Sequence, residues 1–552
     1  MRDETSETGA VALVEALHAA GVRCIFSLSG NQIMPVYDAL LGRDIRLVHV
    51  RHEAAAVYMA EAWAQLTGQI GVAMVTAGAG LGNALGALIS ARASETPVLL
   101  LSGDSPRAQD GMGAFQELDQ CAMSAPVTKT SLRAGGADSL AQDAANLIRC
   151  ALGGRPGPVH LALPADALTA PASARAALDF VPEVQRLSVA DMAALRAFLD
   201  SAERPLLLTG PALSQTRTRG ALAAAQQALN VPVLCMESPR GLRDPSLGAL
   251  VDVTRQADRI VLLGKAADFT TAFLGEGMGG PQTRFAVIDP EATEIDRARA
   301  RLGARLEIAH QADALPVLRA LCIDAARAPA REGWLTECAH ALSRRADVPQ
   351  TALEHADGVH PAAIGDALGA LLRAAPEAVV ICDGGEFGQW MQAVPHDGPR
   401  VINGVSGAIG AAPAYAIAAS LARPDVPVYA LMGDGTAGFL LAEYETAARE
   451  GARFVAIIGN DSLWNAEHQI QIREFGADRT HGCTLSTAAR YDEAARGLGA
   501  AGLYAGDGKV ETLVQVLTEA QCAGGPVCIN IRIRPEPAPV VNSRLPQAAG
   551  VH

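Results

Sequence analysis

Two aspartates, each held in a short polar turn, carry the clearest chemistry in this sequence. Gly433-Asp434-Gly435-Thr436 closes one apolar run, and Asn460-Asp461 closes the next. A hard divalent cation takes oxygen ligands, so Asp434, Asp461, a backbone carbonyl and two diphosphate oxygens would make a shell that suits Mg²⁺. The glycines on either side of Asp434 leave room and unobstructed amide donors for phosphate oxygens. The same four residues also read as an ordinary tight turn of an α/β protein, so their surroundings must decide between the two.

Such turns need strands to present them. Residues 426–432 read as a buried strand between Pro424-Asp425 and Gly433. Residues 440–450 have helical spacing, with an amino end near the turn where the helix dipole favours an anion. Residues 454–458 form the next buried strand and deliver Asp461. Earlier in the chain, residues 71–84 read as strand, glycine-rich turn and helix start, with Asn83 able to cap. Gly78, Gly80 and Gly82 do not follow G-x-G-x-x-G, which leaves a dinucleotide fingerprint weakly supported. A further apolar strand at 378–382 ends in Asp383-Gly384-Gly385-Glu386-Phe387-Gly388-Gln389-Trp390.

The paired turns resemble the diphosphate-binding motif of thiamine diphosphate (ThDP) enzymes, a GDG answered downstream by Asn-Asn or Asn-Asp. The resemblance implies that Asp434, Asp461 and the carbonyl of Leu463 bind the metal, with Gly433, Gly435 and Thr436 against the diphosphate. Val48-His49-Val50-Arg51-His52-Glu53-Ala54-Ala55-Ala56 is similar to the segment carrying the activating glutamate of the acetolactate synthase, benzaldehyde lyase and pyruvate decarboxylase group. That places on Glu53 the carboxyl that shares a proton with the cofactor's aminopyrimidine; a surface glutamate at a helix start near His52 is the plain alternative. By the same likeness Thr76, Gly78 and Asn83 lie near the pyrimidine ring, and Gln116, in Ala114-Phe115-Gln116-Glu117-Leu118-Asp119, faces the reacting carbons. In Gly404-Val405-Ser406-Gly407-Ala408-Ile409-Gly410, Ile409 would wedge between the two cofactor rings and the Gly407 carbonyl would accept from the 4′-amino group.

Three departures from the family pattern stand out. Acetolactate synthases carry Gln and His where this chain has Glu386 and Phe387. A carboxylate beside a diphosphate must be turned away, protonated by desolvation, or used to hold a cationic group. The histidine of benzaldehyde lyase in the turn after the first strand is Ser29 here, which either orients water or a carbonyl or simply forms the turn. Residues 463–471 should wall the thiazolium, with Trp464 and His468 on one helix face and His468 a candidate for proton transfer.

The resemblance implies acetolactate synthase-like carboligation of 2-oxo acids through a C2-carbanion/enamine intermediate. A benzaldehyde lyase-like or 2-hydroxyacyl-CoA lyase-like cleavage of acyloins or thioesters is the alternative, and a catalytically silent ThDP-binding regulatory subunit is an alternative of another class. Substrates would be a small 2-oxo acid, aldehyde or acyloin. Each active site would take its glutamate from a second chain, giving a homodimer at minimum and plausibly a homotetramer. No nucleotide signature is evident in the middle of the chain, so FAD is not predicted.

Composition agrees. At 552 residues the chain exceeds one core, and aliphatic residues with only 4% aromatics suit parallel sheets buried on both faces. The net charge of −14 argues against a nucleic-acid surface. No apolar run reaches membrane-span length, and the polar start at Met1 is unlike a signal peptide, so a cytoplasmic location is expected. The ten cysteines are scattered without a C-x-x-C pair, and no H-x-x-x-H falls on an expected helix, which argues against zinc or a disulfide framework.

These readings combine into an α/β fold of three doubly wound parallel-sheet domains of the ThDP-enzyme type. A pyrimidine-binding domain is expected over 1–180, a central Rossmann-like domain over 185–330, a linker over 331–358, a diphosphate-binding domain over 359–541 and a tail over 542–552. The first and third domains read as copies of one plan.

Overall fold

The computed structural model describes residues 7–173, 177–275, 277–323 and 329–541. The polar start at 1–6 and the tail expected at 542–552 lie outside the described residues.

The strands build three sheets in which every strand pairing is parallel. The first contains β1 (Cys24–Ser27), β2 (Arg46–His49), β3 (Gly71–Val75), β4 (Val98–Asp104), β5 (Ser131–Arg133) and β6 (Val159–Pro164), ordered β2-β1-β3-β4-β6-β5. The second contains β7 (Pro205–Thr209), β8 (Val233–Cys235), β9 (Arg259–Leu263), β10 (Arg284–Asp289) and β11 (Leu306–Gln311), ordered β11-β10-β9-β7-β8. The third contains β12 (Val379–Cys382), β13 (Arg400–Ile402), β14 (Val428–Gly433), β15 (Val455–Asn460), β16 (Ala501–Ala505) and β17 (Val527–Arg532), ordered β13-β12-β14-β15-β17-β16. The first and third sheets thus share one winding, as expected of two copies of a plan.

Central strands such as β3 and β4 are buried along their whole length, which explains their unbroken apolar runs. Leu431, fully buried in β14, illustrates the energy at stake. Truncating such a leucine to alanine costs about 2–5 kcal/mol.

Where the chain turns from one half of a doubly wound sheet to the other, the loops leaving the strands open a crevice at their carboxyl ends. In the first sheet that point lies between β1 and β3, and in the third between β12 and β14. Ser29 and Thr76 follow the first pair, and Asp383 and Asp434 follow the second.

The chain divides into two compact units. The first comprises 1–183, 413–424 and 440–452, and the second comprises 184–412, 425–439 and 453–552. In the first unit the helix Glu53–Thr67 is alanine-rich and buried over most of its circumference, capped by the His52 side chain and ended by Gly68 in the left-handed region. Its Glu61 accepts from Tyr415 of the helix Ala412–Ala422 at 2.8 Å. In the second unit the helix Glu332–Leu342 buries Trp334 and Cys338 in the core of the middle sheet, and Trp334 Nε1 donates to the Pro205 carbonyl at 2.7 Å. Among the described residues no helix is long and apolar enough to cross a membrane.

Candidate active site

The second unit brings the aspartate pair together. β14 and β15 are neighbours in register, Gly433 opposite Gly459, so Asp434 and Asp461 leave adjacent strand ends. Asp434 begins the one-turn helix Asp434–Ala437, and this turn, rather than the longer helix that starts only at Glu443, follows the glycine motif directly. Burial pushes both carboxyl groups up from the ordinary aspartate range, and the charge of Asp434 pushes Asp461 further. A buried and a half-buried carboxylate this close need a proton or a cation between them.

Asn460, the first member of the second pair, is 1% exposed and structural. Its Oδ1 accepts from the Ser462 amide at 3.1 Å, and its Nδ2 donates to Asn530 Oδ1 at 3.1 Å. Ser462 sits at φ +60° and reverses the chain, while the Leu463 amide donates to Asp461 Oδ1 at 3.1 Å. Among the described residues no three His, Cys, Asp or Glu side chains converge as a metal cage. A cation held here would complete its shell with a carbonyl and with ligand oxygens, which is the donor set Mg²⁺ prefers.

Around the pair, Gly435 lies under the Trp464 indole, where an added Cβ would come within 3.1 Å of the ring. Trp464 caps the helix Asn465–Phe475 and does not belong to it, and half-buried His468 lies one turn further on. Ile409 packs so tightly on Gly384 that a side chain at 384 would collide with it. The loop carrying Ile409 and Gly407 is held by Asp383, whose carboxylate accepts from the Gly410 and Ala412 amides at 3.0 and 2.9 Å. Glu386, in the first turn of the helix Gly385–Gln392, has its carboxyl raised chiefly by burial, against the lowering charge of Arg240. Its Oε2 accepts from Gln389 Nε2 at 3.2 Å. Phe387 is buried against Gly459.

The first unit gathers the other expected residues at the carboxyl ends of β1 to β4. Glu53 is 8% exposed, so it is not a surface glutamate, and its Oε2 accepts from Asn83 Nδ2 at 3.0 Å. Asn83 lies inside the helix Ala79–Ala93 and caps nothing; the cap position is Gly78. Gly78 has φ +62°, which its lack of a Cβ permits, and an added Cβ would press on Gln116 at 3.0 Å. Gln116 itself stands at φ +60°, a conformation that costs a non-glycine residue about 1–2 kcal/mol.

Several residues that the motifs did not single out hold this cluster in place. Thr76 Oγ1 donates to Gln32 Oε1 at 2.5 Å, and Gln32 Nε2 donates to Gln116 Oε1 at 2.7 Å. Gln120, 2% exposed, accepts from the Gly78 amide at 3.1 Å and donates to the Gly103 carbonyl at 2.9 Å. Glu443 accepts from the Arg51 and His52 amides at 2.9 and 3.0 Å, which fixes the entry to the Glu53 helix. Ser29 lies against His49, with Oγ to Nε2 at 3.0 Å. A lone glutamine in a short helical turn gives no motif to find, and His49 lay within a segment that the family pattern marked.

Winding, crevices and paired carboxylates define the architecture of a thiamine-dependent enzyme, and comparison with known proteins agrees. Residues 7–123 match the thiamine pyrophosphate enzyme N-terminal TPP binding domain, and residues 383–531 match the thiamine pyrophosphate enzyme C-terminal TPP binding domain. The chain is 28% identical over 542 residues to a probable acetolactate synthase of Mycobacterium bovis, covering 95% of this chain and 96% of that protein. It is 29% identical over 572 residues to 2-hydroxyacyl-CoA lyase 2 of Homo sapiens, covering 94% and 88%. In fold it is similar to the thiamine diphosphate-dependent 4-hydroxybenzoylformate decarboxylase of Rhodococcus jostii RHA1, with a TM-score of 0.80, 24% identity and coverage of 96% and 99%. The chain belongs to the thiamine diphosphate enzyme family and is an enzyme related to acetolactate synthases and 2-hydroxyacyl-CoA lyases.

Proposed function

We propose that the protein is a ThDP- and Mg²⁺-dependent carboligase of the acetolactate synthase type, taking a 2-oxo acid as donor and joining it to a second carbonyl compound. The observation that carries the reading is Glu53, a buried carboxyl whose Oε2 is held by Asn83. A carboxyl so placed can hold or release one proton at a ring nitrogen laid against it. ThDP, when bound, supplies the electron sink that carbon–carbon bond cleavage and formation beside a carbonyl require.

The remaining roles follow from the likeness to thiamine diphosphate enzymes. Asp434, Asp461 and the Leu463 carbonyl would hold Mg²⁺, with Gly433, Gly435 and Thr436 lining the diphosphate. Ile409 and the Gly407 carbonyl would fix the cofactor's bend, and Thr76 and Gly78 would face its pyrimidine. Gln116 offers a neutral hydrogen bond to the reacting group, Trp464 and His468 form a wall, and Glu386, its carboxyl raised by burial, would sit at the diphosphate end. Glu53 of one subunit would serve the diphosphate site of another, so that the working unit is at least a homodimer, and a homotetramer pairs two of them.

A lyase reading, cleavage of acyloins or 2-hydroxyacyl thioesters, is supported by the likeness to 2-hydroxyacyl-CoA lyase 2. One experiment separates the two. The protein is incubated with ThDP, Mg²⁺ and pyruvate, quenched in acid, and read by proton NMR for cofactor adducts and free products. Acetolactate or acetoin supports the carboligase. Unmodified cofactor with pyruvate, together with aldehyde release from an acyloin or a 2-hydroxyacyl thioester, replaces it by the lyase.

A further inference from the structure

We propose that Ser29 and His49 form a proton-transfer dyad, in which Ser29 exchanges a proton with a substrate hydroxyl or carbonyl oxygen and His49 Nε2 takes or returns the serine proton. The inference deepens the proposed function and rests on it for the identity of the reacting oxygen.

Register places the pair. Ser27 of β1 lies opposite His49 of β2, so the residue two beyond the end of β1 meets the last side chain of β2. The Ser29 amide donates to His49 Nε2 at 3.3 Å, and Ser29 Oγ lies 3.0 Å from the same nitrogen. A backbone amide can only donate, so Nε2 carries a lone pair, the ring proton is on Nδ1, and the serine hydroxyl proton points at the imidazole. Ser29 is exposed while His49 is half-buried behind it, which leaves the hydroxyl oxygen open to a ligand.

The loop ties that hydroxyl to the residues of the site. Gly30, next to Ser29, packs so closely on Thr76 that a side chain there would overlap it. Gln32, three positions on, bridges Thr76 and Gln116.

The electrostatics favour a neutral imidazole. Burial holds His49 below the ordinary histidine value, and Arg449 and Arg51 add to the effect, while Glu445 and Glu450 oppose it. Arg449 also donates to the His49 carbonyl, which keeps its charge beside the ring.

In the cleavage direction the substrate O–H bond breaks and its proton passes to Ser29 Oγ. The Ser29 O–H bond breaks in the same step, and that proton bonds to the Nε2 lone pair. The products are an imidazolium and an oxygen that retains its electron pair, and the synthetic direction reverses each transfer. No further reactant is needed.

The test uses ¹⁵N-histidine-labelled holoenzyme, with His49 assigned by the signal lost in His49→Gln. Long-range proton–nitrogen correlation should show the Nδ1–H tautomer and a titration below the ordinary imidazole value that moves in Ser29→Ala. With pyruvate or an acyloin as substrate, kcat/KM should fall on the acid side as His49 protonates. Each single variant should lose roughly 100-fold in kcat/KM, and the double variant should lose little more, because the two act as a unit. His49→Gln should remove the acid limb while melting temperature and ThDP affinity stay near wild type. An Nε2–H tautomer, or an acid limb unchanged in His49→Gln, overturns the dyad. A wild-type enzyme inert toward 2-oxo acids and acyloins alike would sink the proposed function, and the imidazole readings would still decide for or against the dyad.

Discussion

The buried Asp383 carboxylate at the end of β12 accepts from the Gly410 amide with both oxygens, at 3.0 and 3.2 Å, and so fastens the loop that presents Ile409. Burial pushes this carboxyl up to about 6 even against four backbone amides. A raised aspartate binds its proton more tightly folded than unfolded, so it favours the fold at low pH. That contribution is lost as pH rises from the ordinary aspartate value through about 6. Asp383→Asn removes the titration but turns an NH₂ toward amide donors, and should lower stability by about 1–3 kcal/mol. Urea unfolding at pH 5 and pH 8 checks both points: the wild type should lose stability between the two through this group, and the variant should lose less.

If Asp434 and Asp461 hold Mg²⁺ as proposed, stripping it should expose the repulsion between them. Both carboxyls are raised, so in protein stripped with a chelator stability should decline as pH climbs through their folded values, and Mg²⁺ should restore it at the alkaline end. Asp461→Asn leaves one carboxylate and should raise the melting temperature of the stripped protein at pH 8. Calorimetric scans with and without Mg²⁺ measure this directly; a stripped protein equally stable across the range would show that the two charges do not meet.

Glu53 and Asn83 make a separable pair. Glu53→Gln should cut kcat by at least about 100-fold while ThDP and Mg²⁺ still bind, since only the exchangeable proton is lost. Asn83→Leu keeps the carboxyl but removes the hydrogen bond that Asn83 donates to it, and a smaller loss is expected, about tenfold, comparable with one such hydrogen bond. Steady-state rates beside cofactor titration by calorimetry distinguish the two roles. Equal losses in both variants would contradict the assignment of the proton to Glu53.

The parallel sheets and the strands β3, β12, β14 and β15 were legible because a strand buried on both faces must be apolar throughout, and glycine or proline marks its ends. Glu53, Asp434 and Asp461 were legible because the chemistry fixes their type and their neighbours. Asn83 was misplaced as a cap, since an asparagine after glycines fits a helix start as well as an interior position aimed at a carboxylate. The helix expected from 440 begins at Glu443, because Asp434–Ala437 takes the first turn after the glycine motif. Gln32, Gln120, Asp383 and His49 escaped because their partners are brought in by sheet order. Gln32 and Gln116 are 84 positions apart, and no local spacing reports that.

The chain from Thr76 through Gln32 to Gln116 has a direction, and that direction sets what Gln116 can offer. Thr76 donates to Gln32 Oε1, so Gln32 Nε2 is the donor to Gln116 Oε1, and the NH₂ of Gln116 remains for a ligand oxygen. Gln32→Glu accepts from Thr76 but cannot donate. Gln116 must then turn its NH₂ inward and present its carbonyl oxygen, an acceptor facing an acceptor. At pH 8 this variant should keep a melting temperature near wild type and lose kcat by roughly 10–100-fold, the range of one misplaced hydrogen-bond donor or more. Gln32→Met, of similar length, should instead cost about 1 kcal/mol by taking the hydrogen-bond partner from two half-buried polar groups. Thermal melts and rates on the two variants together test the direction. Wild-type kcat in Gln32→Glu would mean that Gln116 works equally well as an acceptor, and the polarity of the chain would carry no function.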